Sequence, residues 1–351
     1  MKRLAALVVM LQPILSGAYV WDLPKGFPTP SVPAANPMSV EKVELGRYLF
    51  YDRRMSVNGV SSCATCHKQE LAFTDGQPVA IGTTGEKHPR GAMSLVNVAY
   101  SAVLTWSNPG MRELEQQALV PMFGEHPIEL GLKPGDGFLA MLRADARYRA
   151  LFKAAFPAEE DCFTMANVTK ALASFERSII SARSPYDRYH YERDDTAISD
   201  AAKRGEVLFF SQPLSCFRCH GGFSFSSNTV SQGHQIEELE FHNNGLYNVA
   251  GAHVGIFEFT KNPKDIGKFK APTLRNIAVT APYMHDGSLA TLEDVVDHYA
   301  AGGRAHDNPL RDPLIGGFKL SAQDKRDLIE FLKSLTDEAI LHDSRFSNPW
   351  H

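Results

Sequence analysis

Cys63-Ala64-Thr65-Cys66-His67 and Cys216-Phe217-Arg218-Cys219-His220 place four of the chain's five cysteines in one repeated pattern, Cys-x-x-Cys-His. With five Cys and thirteen His in 351 residues, chance supplies on the order of 0.003 such pentapeptides. Two thiols at this spacing can form thioether links to a porphyrin, and the adjacent His can supply a nitrogen to its iron. Each motif is therefore read as a c-type heme attachment. A zinc site built from four thiolates is the rival, but it gives no reason for a His after each pair. Two covalent hemes imply redox chemistry.

The rest of the composition fits a globular, exported protein. A 44% apolar content over 351 residues can build two ordinary cores, and a net charge of −4 without a basic run argues against nucleic acid. Met1-Lys2-Arg3, an apolar run from Leu4 to Leu15 and Ser16-Gly17-Ala18 have the layout of a secretory signal, with cleavage expected after Ala18. A retained N-terminal anchor is the alternative, although the run is too short to span a bilayer. Export to the periplasm agrees with covalent heme, whose attachment is completed outside the bacterial cytoplasm. Cys162 has no partner left and is expected to be a small buried hydrophobe.

After a Pro-rich lead-in over 19–37, expected to be extended, the chain repeats itself. Leu45-Gly46-Arg47-Tyr48-Leu49-Phe50 precedes the first pentapeptide and Arg204-Gly205-Glu206-Val207-Leu208-Phe209 the second. Leu172, Phe175 and Ile179 in one half answer Leu328, Phe331 and Leu335 in the other, at spacings that share a helix face. Ser321 is the expected N-cap of the last helix. The pattern predicts a mainly α protein of two cytochrome c-type domains, 38–185 and 186–346, joined near Ser184-Pro185. Short hairpins are allowed only in the loop-rich 220–270 stretch.

Further motifs are Leu114-Glu115-Gln116-Gln117-Ala118, the Gly124–Gly131 stretch around Glu129, Phe241-His242-Asn243, Ala271–Ile277, and Thr280–Ser288 followed by Thr291–Tyr299. On these and the two pentapeptides the chain resembles the bacterial di-heme cytochrome c peroxidase superfamily and its MauG-like branch. It is similar above all to the MbnH-like di-heme enzymes, and the resemblance covers almost everything after residue 38. In this superfamily the N-terminal heme meets peroxide on an open distal side, and the C-terminal heme is six-coordinate and handles electrons. The resemblance thus implies that Cys63, Cys66 and His67 hold the peroxidatic heme and that Cys216, Cys219 and His220 hold the electron-transfer heme.

The same resemblance assigns further roles. Glu129 falls at the distal acid/base carboxylate and Gln117 at a distal amide able to hydrogen-bond peroxide. The span from Pro121 runs longer than the family's usual spacing, and Glu125 is the reserve. Tyr299 stands where conventional members carry a Met ligand to the second iron and MauG carries a Tyr, with His298 and Met284 as alternatives. A thioether favours Fe(II); a phenolate is hard and anionic and stabilises higher states, so that the second heme can share a high-valent state. Trp106 matches an inter-heme relay, whereas Leu214 replaces the surface Trp of MauG. Trp21 and Trp350 are expected outside both heme domains. Asn97, Thr280 and Pro282 correspond to a Ca²⁺ site. His88 lies where conventional members gate the first heme, and an open site is expected here. His234, His242, His253 and His285 are expected at propionates or in no role. The implied activity is an H₂O₂-dependent oxidation of a partner protein, by analogy a Trp of a copper-binding protein. A conventional peroxidase fed by a small cytochrome or cupredoxin and a passive di-heme carrier are the alternatives.

Overall fold

The computed structural model describes residues 19–248, 251, 253–305 and 307–350; the expected leader, 1–18, lies outside them. The first half carries α1 (Val40–Tyr51), α2 (Cys63–Cys66), α3 (Leu114–Gln117), α4 (Leu119–Phe123), α5 (Phe138–Ala144), α6 (Ala146–Ala155) and α7 (Met165–Ser178). The second carries α8 (Pro185–Glu192), α9 (Asp200–Phe209), α10 (Phe257–Thr260), α11 (Leu292–Ala300) and α12 (Ala322–Ser334). Among the described residues no strand forms. The 220–270 stretch makes isolated bridges only, such as Ser231 with His234 and His242 with Phe269.

Each half is organised by one helix crossing, and the repeated sequence explains both. In the first, α1 lies across α7 with Leu45, Leu49, Phe50 and Phe175 fully buried. In the second, α9 lies across α12 over Phe209, Leu328, Phe331 and Leu335. Gly46 and Gly205 sit at the crossings. A Cβ on Gly46 would overlap the Ala171 carbonyl oxygen, and one on Gly205 that of Asp327. The helices thus approach backbone to backbone at the one residue type that permits it. The paired helices start alike: Ser39, Thr164, Ser199 and Ser321 each accept a first-turn N–H, each such cap contributing about 1 kcal/mol. Ser321 caps α12 as its sequence suggests, and Cys162 is buried as expected.

The junction is polar and densely hydrogen-bonded. Asn97 and Asn276, both in left-handed backbone (φ 58° and 60°), bind the connecting segment from opposite sides. The Asn97 amide spans the Ser181 backbone, accepting its N–H and donating to its C=O at 2.8 Å each, while Asn276 donates to the Ser181 hydroxyl at 2.7 Å. Arg275 reaches Asp187 at the start of α8 through two bonds of 2.8 and 2.9 Å, with its side chain fully buried.

Both ends of the chain cross to the opposite half. The lead-in is extended as expected and seats Phe27 against Tyr191, Phe223 and Arg275 of the second half. The C-terminal tail returns to the first half, burying Ile340, Leu341 and Phe346 in its core. Assigning residues up to 346 to the second domain therefore does not describe where they pack: their apolar side chains fill the first core. Trp350, expected outside both heme domains, donates to the Tyr48 carbonyl at 3.0 Å under the guanidinium groups of Arg54 and Arg147.

Candidate active site: two heme clefts

The first cleft, about 780 Å³, is lined by Cys63, Cys66, His67, His88, Gln117, Glu129 and Glu176. The cysteines stand on the single turn of α2, tied at its start by the Ser62 N–H donating to Thr65 Oγ1 at 3.0 Å. His67 donates from Nδ1 to the Phe73 carbonyl at 2.8 Å, which fixes the tautomer and leaves the Nε2 lone pair for a metal. Burial holds His67 below the ordinary histidine value, so the ligating neutral form prevails.

The opposite wall comes from α3 and the loop after α4. The Glu115 carboxylate takes both Arg177 guanidinium nitrogens at 2.8 and 2.7 Å, pinning α3 to α7 and presenting Gln117 to the cleft. The Glu129 loop is fastened by the Thr83 N–H on the Glu129 carbonyl at 2.7 Å and the Ile128 N–H on Glu86 at 3.0 Å. Glu129 faces inward, its carboxyl raised by burial, and lies 3.8 Å from His88 Nε2. Glu125, the reserve, is exposed and not part of the wall. His88 does reach the first cleft. Its Nδ1 accepts the Arg90 N–H at 3.2 Å, leaving Nε2 toward the cleft.

A second cleft of about 1,430 Å³ is lined by Cys216, Cys219, His220, Trp106, Lys270, Met284 and Tyr299. His220 repeats the pattern of His67, with Nδ1 donating to the carbonyls of Pro272 (3.1 Å) and Phe225 (3.3 Å). Burial lowers it to about 4. Tyr299 projects from the last turn of α11 into the same cleft, its phenol pushed up to about 12 by burial. His298 turns away, its Nε2 on the Asn244 carbonyl at 3.0 Å. Met284 is in the wall, where its Sδ accepts the Asn244 amide at 3.2 Å. Trp106 lines this cleft but not the first, and bonds the Gly91 carbonyl through Nε1 at 3.0 Å. Leu214 is also in the wall.

Two buried groups escaped the sequence reading. Glu176 on α7 borders the first cleft, with its pKa raised to about 8 by burial and Oε2 without a partner among the described residues. Lys270 is buried, its amine lowered to about 7, and donates only to the Val103 carbonyl at 2.8 Å. Helix periodicity predicts the burial of Glu176, but nothing local marks either as facing a cleft. A buried amine with no carboxylate, two thiols and an imidazole presented by its second nitrogen fit a covalent heme with acidic propionates in the second cleft. The first cleft carries the same thiol–imidazole set.

The calcium residues fit less well. Asn97 was expected to offer its amide oxygen to a cation with the carbonyls of Thr280 and Pro282. That oxygen instead accepts the Ser181 N–H while the nitrogen donates back, a pairing that stitches the halves together.

Comparison with known proteins agrees with this geometry. Residues 40–196 match the family described as di-haem cytochrome c peroxidase. The methylamine utilization protein MauG of Methylorubrum extorquens is 35% identical over 308 residues, 87% of this chain and 81% of that protein. Cytochrome-c peroxidase IdrP1 of Pseudomonas sp. strain SCT is 33% identical over 345 residues, 90% of this chain and 86% of that protein. The crystal structure of a MauG-like protein associated with microbial copper homeostasis superposes with a TM-score of 0.92 at 45% identity, covering 95% of this chain and 100% of that one. With two Cys-x-x-Cys-His clefts on a helical frame and these relatives, the chain belongs to the di-haem cytochrome c peroxidase family and is an oxidoreductase built around two c-type hemes.

Proposed function

We propose that this protein consumes H₂O₂ in the first cleft and oxidises a partner protein by way of the second. The hemes, when bound, supply the iron that accepts two oxidising equivalents from peroxide and returns them one electron at a time. The protein's own groups handle protons and geometry. Glu129, its carboxyl raised by burial, takes a proton from the inner peroxide oxygen and delivers it to the outer one. Gln117 donates a hydrogen bond that orients peroxide, and His88, 3.8 Å from Glu129, exchanges the carboxyl's proton with solvent. His67 and His220 would each hold a heme iron through Nε2. Lys270 sets its charge against a propionate of the second heme. Trp106, in the wall of the second cleft, is the relay between the irons. Two protons and two electrons from the partner complete the conversion of peroxide to two waters.

The observation that carries this reading is the convergence of Tyr299 and His220 in one cleft. A phenolate on the second iron favours oxidised states and thus oxidation of a partner over simple electron uptake. The neighbour associated with microbial copper homeostasis supports a copper-binding protein as the partner, and a Trp on it is the oxidised residue in this proposal. The basic start and short apolar run within residues 1–18 support a periplasmic location, and no helix among the described residues is long and apolar enough to cross a membrane. Met284 in the same wall favours one competing reading, a conventional peroxidase supplied by a small cytochrome or cupredoxin.

Near-infrared spectroscopy of the oxidised protein separates the two. The expected result is no Met-to-iron band in the wild type and its appearance in Tyr299→Met, with partner oxidation lost and peroxide consumption retained. A Met-to-iron band in the wild type, lost in Met284→Leu, overturns the proposal.

A further inference from the structure

Three ligand-bearing side chains outside the heme motifs converge where the loop after Tyr247 meets the turn after Met284. One donor atom each from His253, His285 and Asp286 lies within 4.8 Å of the other two. His253 Nδ1 is 2.9 Å from His285 Nε2 and 3.9 Å from Asp286 Oδ2. One proton serves both imidazoles across the short gap, so at least one nitrogen presents a lone pair to the other.

The group is held as ligands are held. The Tyr247 hydroxyl donates to Asp286 Oδ2, and the Ser288 N–H donates to Asp286 Oδ1 at 3.2 Å. The Tyr247 ring stacks on His253 at 4.3 Å, and Phe269 stacks on His285 at 3.9 Å. His285 is buried and the Asp286 side chain is 9% exposed, whereas that of His253 is 28% exposed. The cluster therefore has a rigid inner side and one entrance. Hydrogen bonds to the carboxylate and ring stacking are the outer contacts that orient first-shell ligands elsewhere.

We propose that His253, His285 and Asp286 bind one divalent transition cation, Zn²⁺ or Cu²⁺, at a site that borders the second heme cleft through His285 but shares no ligand with either heme iron. Two imidazoles and a carboxylate suit these borderline ions, whereas Ca²⁺ and Mg²⁺ call for oxygen donors throughout. The cation takes the place of the shared proton. Tetrahedral binding at about 2.0–2.1 Å asks the two nitrogens to stand roughly 3.3–3.4 Å apart, a small widening that the His253 side can supply. The fourth position faces the entrance and takes water. Occupancy ties Tyr247 and His253 to a turn that already bonds the first half, through the Gly91 N–H on the His285 carbonyl at 2.9 Å.

The test uses the heme-loaded protein, treated with chelator and dialysed against Zn²⁺ or Cu²⁺ in separate runs. Bound metal is counted against heme iron, and copper is also read by electron paramagnetic resonance. The expected result is one Zn²⁺ or Cu²⁺ per chain, with two-nitrogen hyperfine structure for copper. His253→Ala and Asp286→Asn should each abolish it while heme spectra and melting stay unchanged. Tyr247→Phe keeps all three donors and should weaken binding about 10–100-fold by releasing the Asp286 carboxylate. A wild type that binds neither ion overturns the proposal, as does full stoichiometry in both His253→Ala and Asp286→Asn.

Discussion

Placing one methyl group at the first helix crossing, in Gly46→Ala, tests whether the two halves are limited by backbone approach. The new Cβ would overlap the Ala171 carbonyl oxygen, 2.7 Å from its carbon and 2.8 Å from Phe175 Cβ, where ordinary contact begins at 3.4 Å. The oxygen, nearer still, sets the limit, so the helices must part by more than about 1 Å, a gap that forfeits about half of the dispersion energy at each affected contact. Leu45, Leu49 and Phe50, all fully buried, lie on that surface. Overpacking costs about 1–3 kcal/mol, and the upper end applies because a backbone carbonyl cannot rotate aside. Better helix propensity returns about 1 kcal/mol. The net expectation is about 2 kcal/mol of destabilisation, or a melting temperature roughly 4–8 °C lower for a domain of this size. Far-ultraviolet circular dichroism of the heme-loaded protein, melted in parallel with wild type, gives the number. Gly205→Ala should repeat the effect in the second half, and the two should add, because they lie in separate cores. A Gly46→Ala protein that melts at or above the wild-type temperature refutes the close-approach argument.

Glu129→Gln should slow the stopped-flow reaction with peroxide about 10²–10⁴-fold while leaving heme spectra intact; a rate within about tenfold of wild type removes Glu129 from proton transfer. Glu115→Gln tests the anchor of α3. Burial alone would raise the Glu115 carboxyl, but hydrogen bonds from Arg177 and Asn36 outweigh it and hold the group below its ordinary value of 4.5. Its stabilisation is complete above that value and is lost as pH falls through the folded-state value, because the unfolded chain takes the proton first. The variant should thus be less stable than wild type near neutral pH, with the gap in urea unfolding closing below pH 4.5; a gap independent of pH contradicts the ion pair. Arg275→Met strands Asp187 as a buried charge and should cost about 3–5 kcal/mol by chemical denaturation, with part recovered by adding Asp187→Leu.

What the sequence disclosed was what recurs locally. The pentapeptides, the glycines of the two crossings and the apolar triads on α7 and α12 each stand in a short window, and each is repeated, so the helical class and the heme-bearing turns were legible. Glu129 and Tyr299 were reached only through resemblance, since an acidic loop residue and a helical Tyr carry no local mark of facing a cleft. The groups that were missed depend on distant chain. Lys270 acquires its setting from Val103 and Trp106, Glu176 from the cleft that α2 builds opposite α7, and His253 from a turn more than thirty residues later. The setting of Asn97 is of the same kind: its amide pairs with Ser181, a partner on the far side of α7. The tail misled because Phe346 and Trp350 follow the second repeat in order yet pack with the first.

That crossing of the termini makes the protein hard to take apart. Phe27 from the beginning completes the later half, and Phe346 from the end completes the earlier one, so cutting at Ser184 would yield two fragments, each missing a plug held by the other. Although the chain looks like a gene duplication with interchangeable copies, the finished molecule is interlaced. Each half is finished only by a segment that the other half carries.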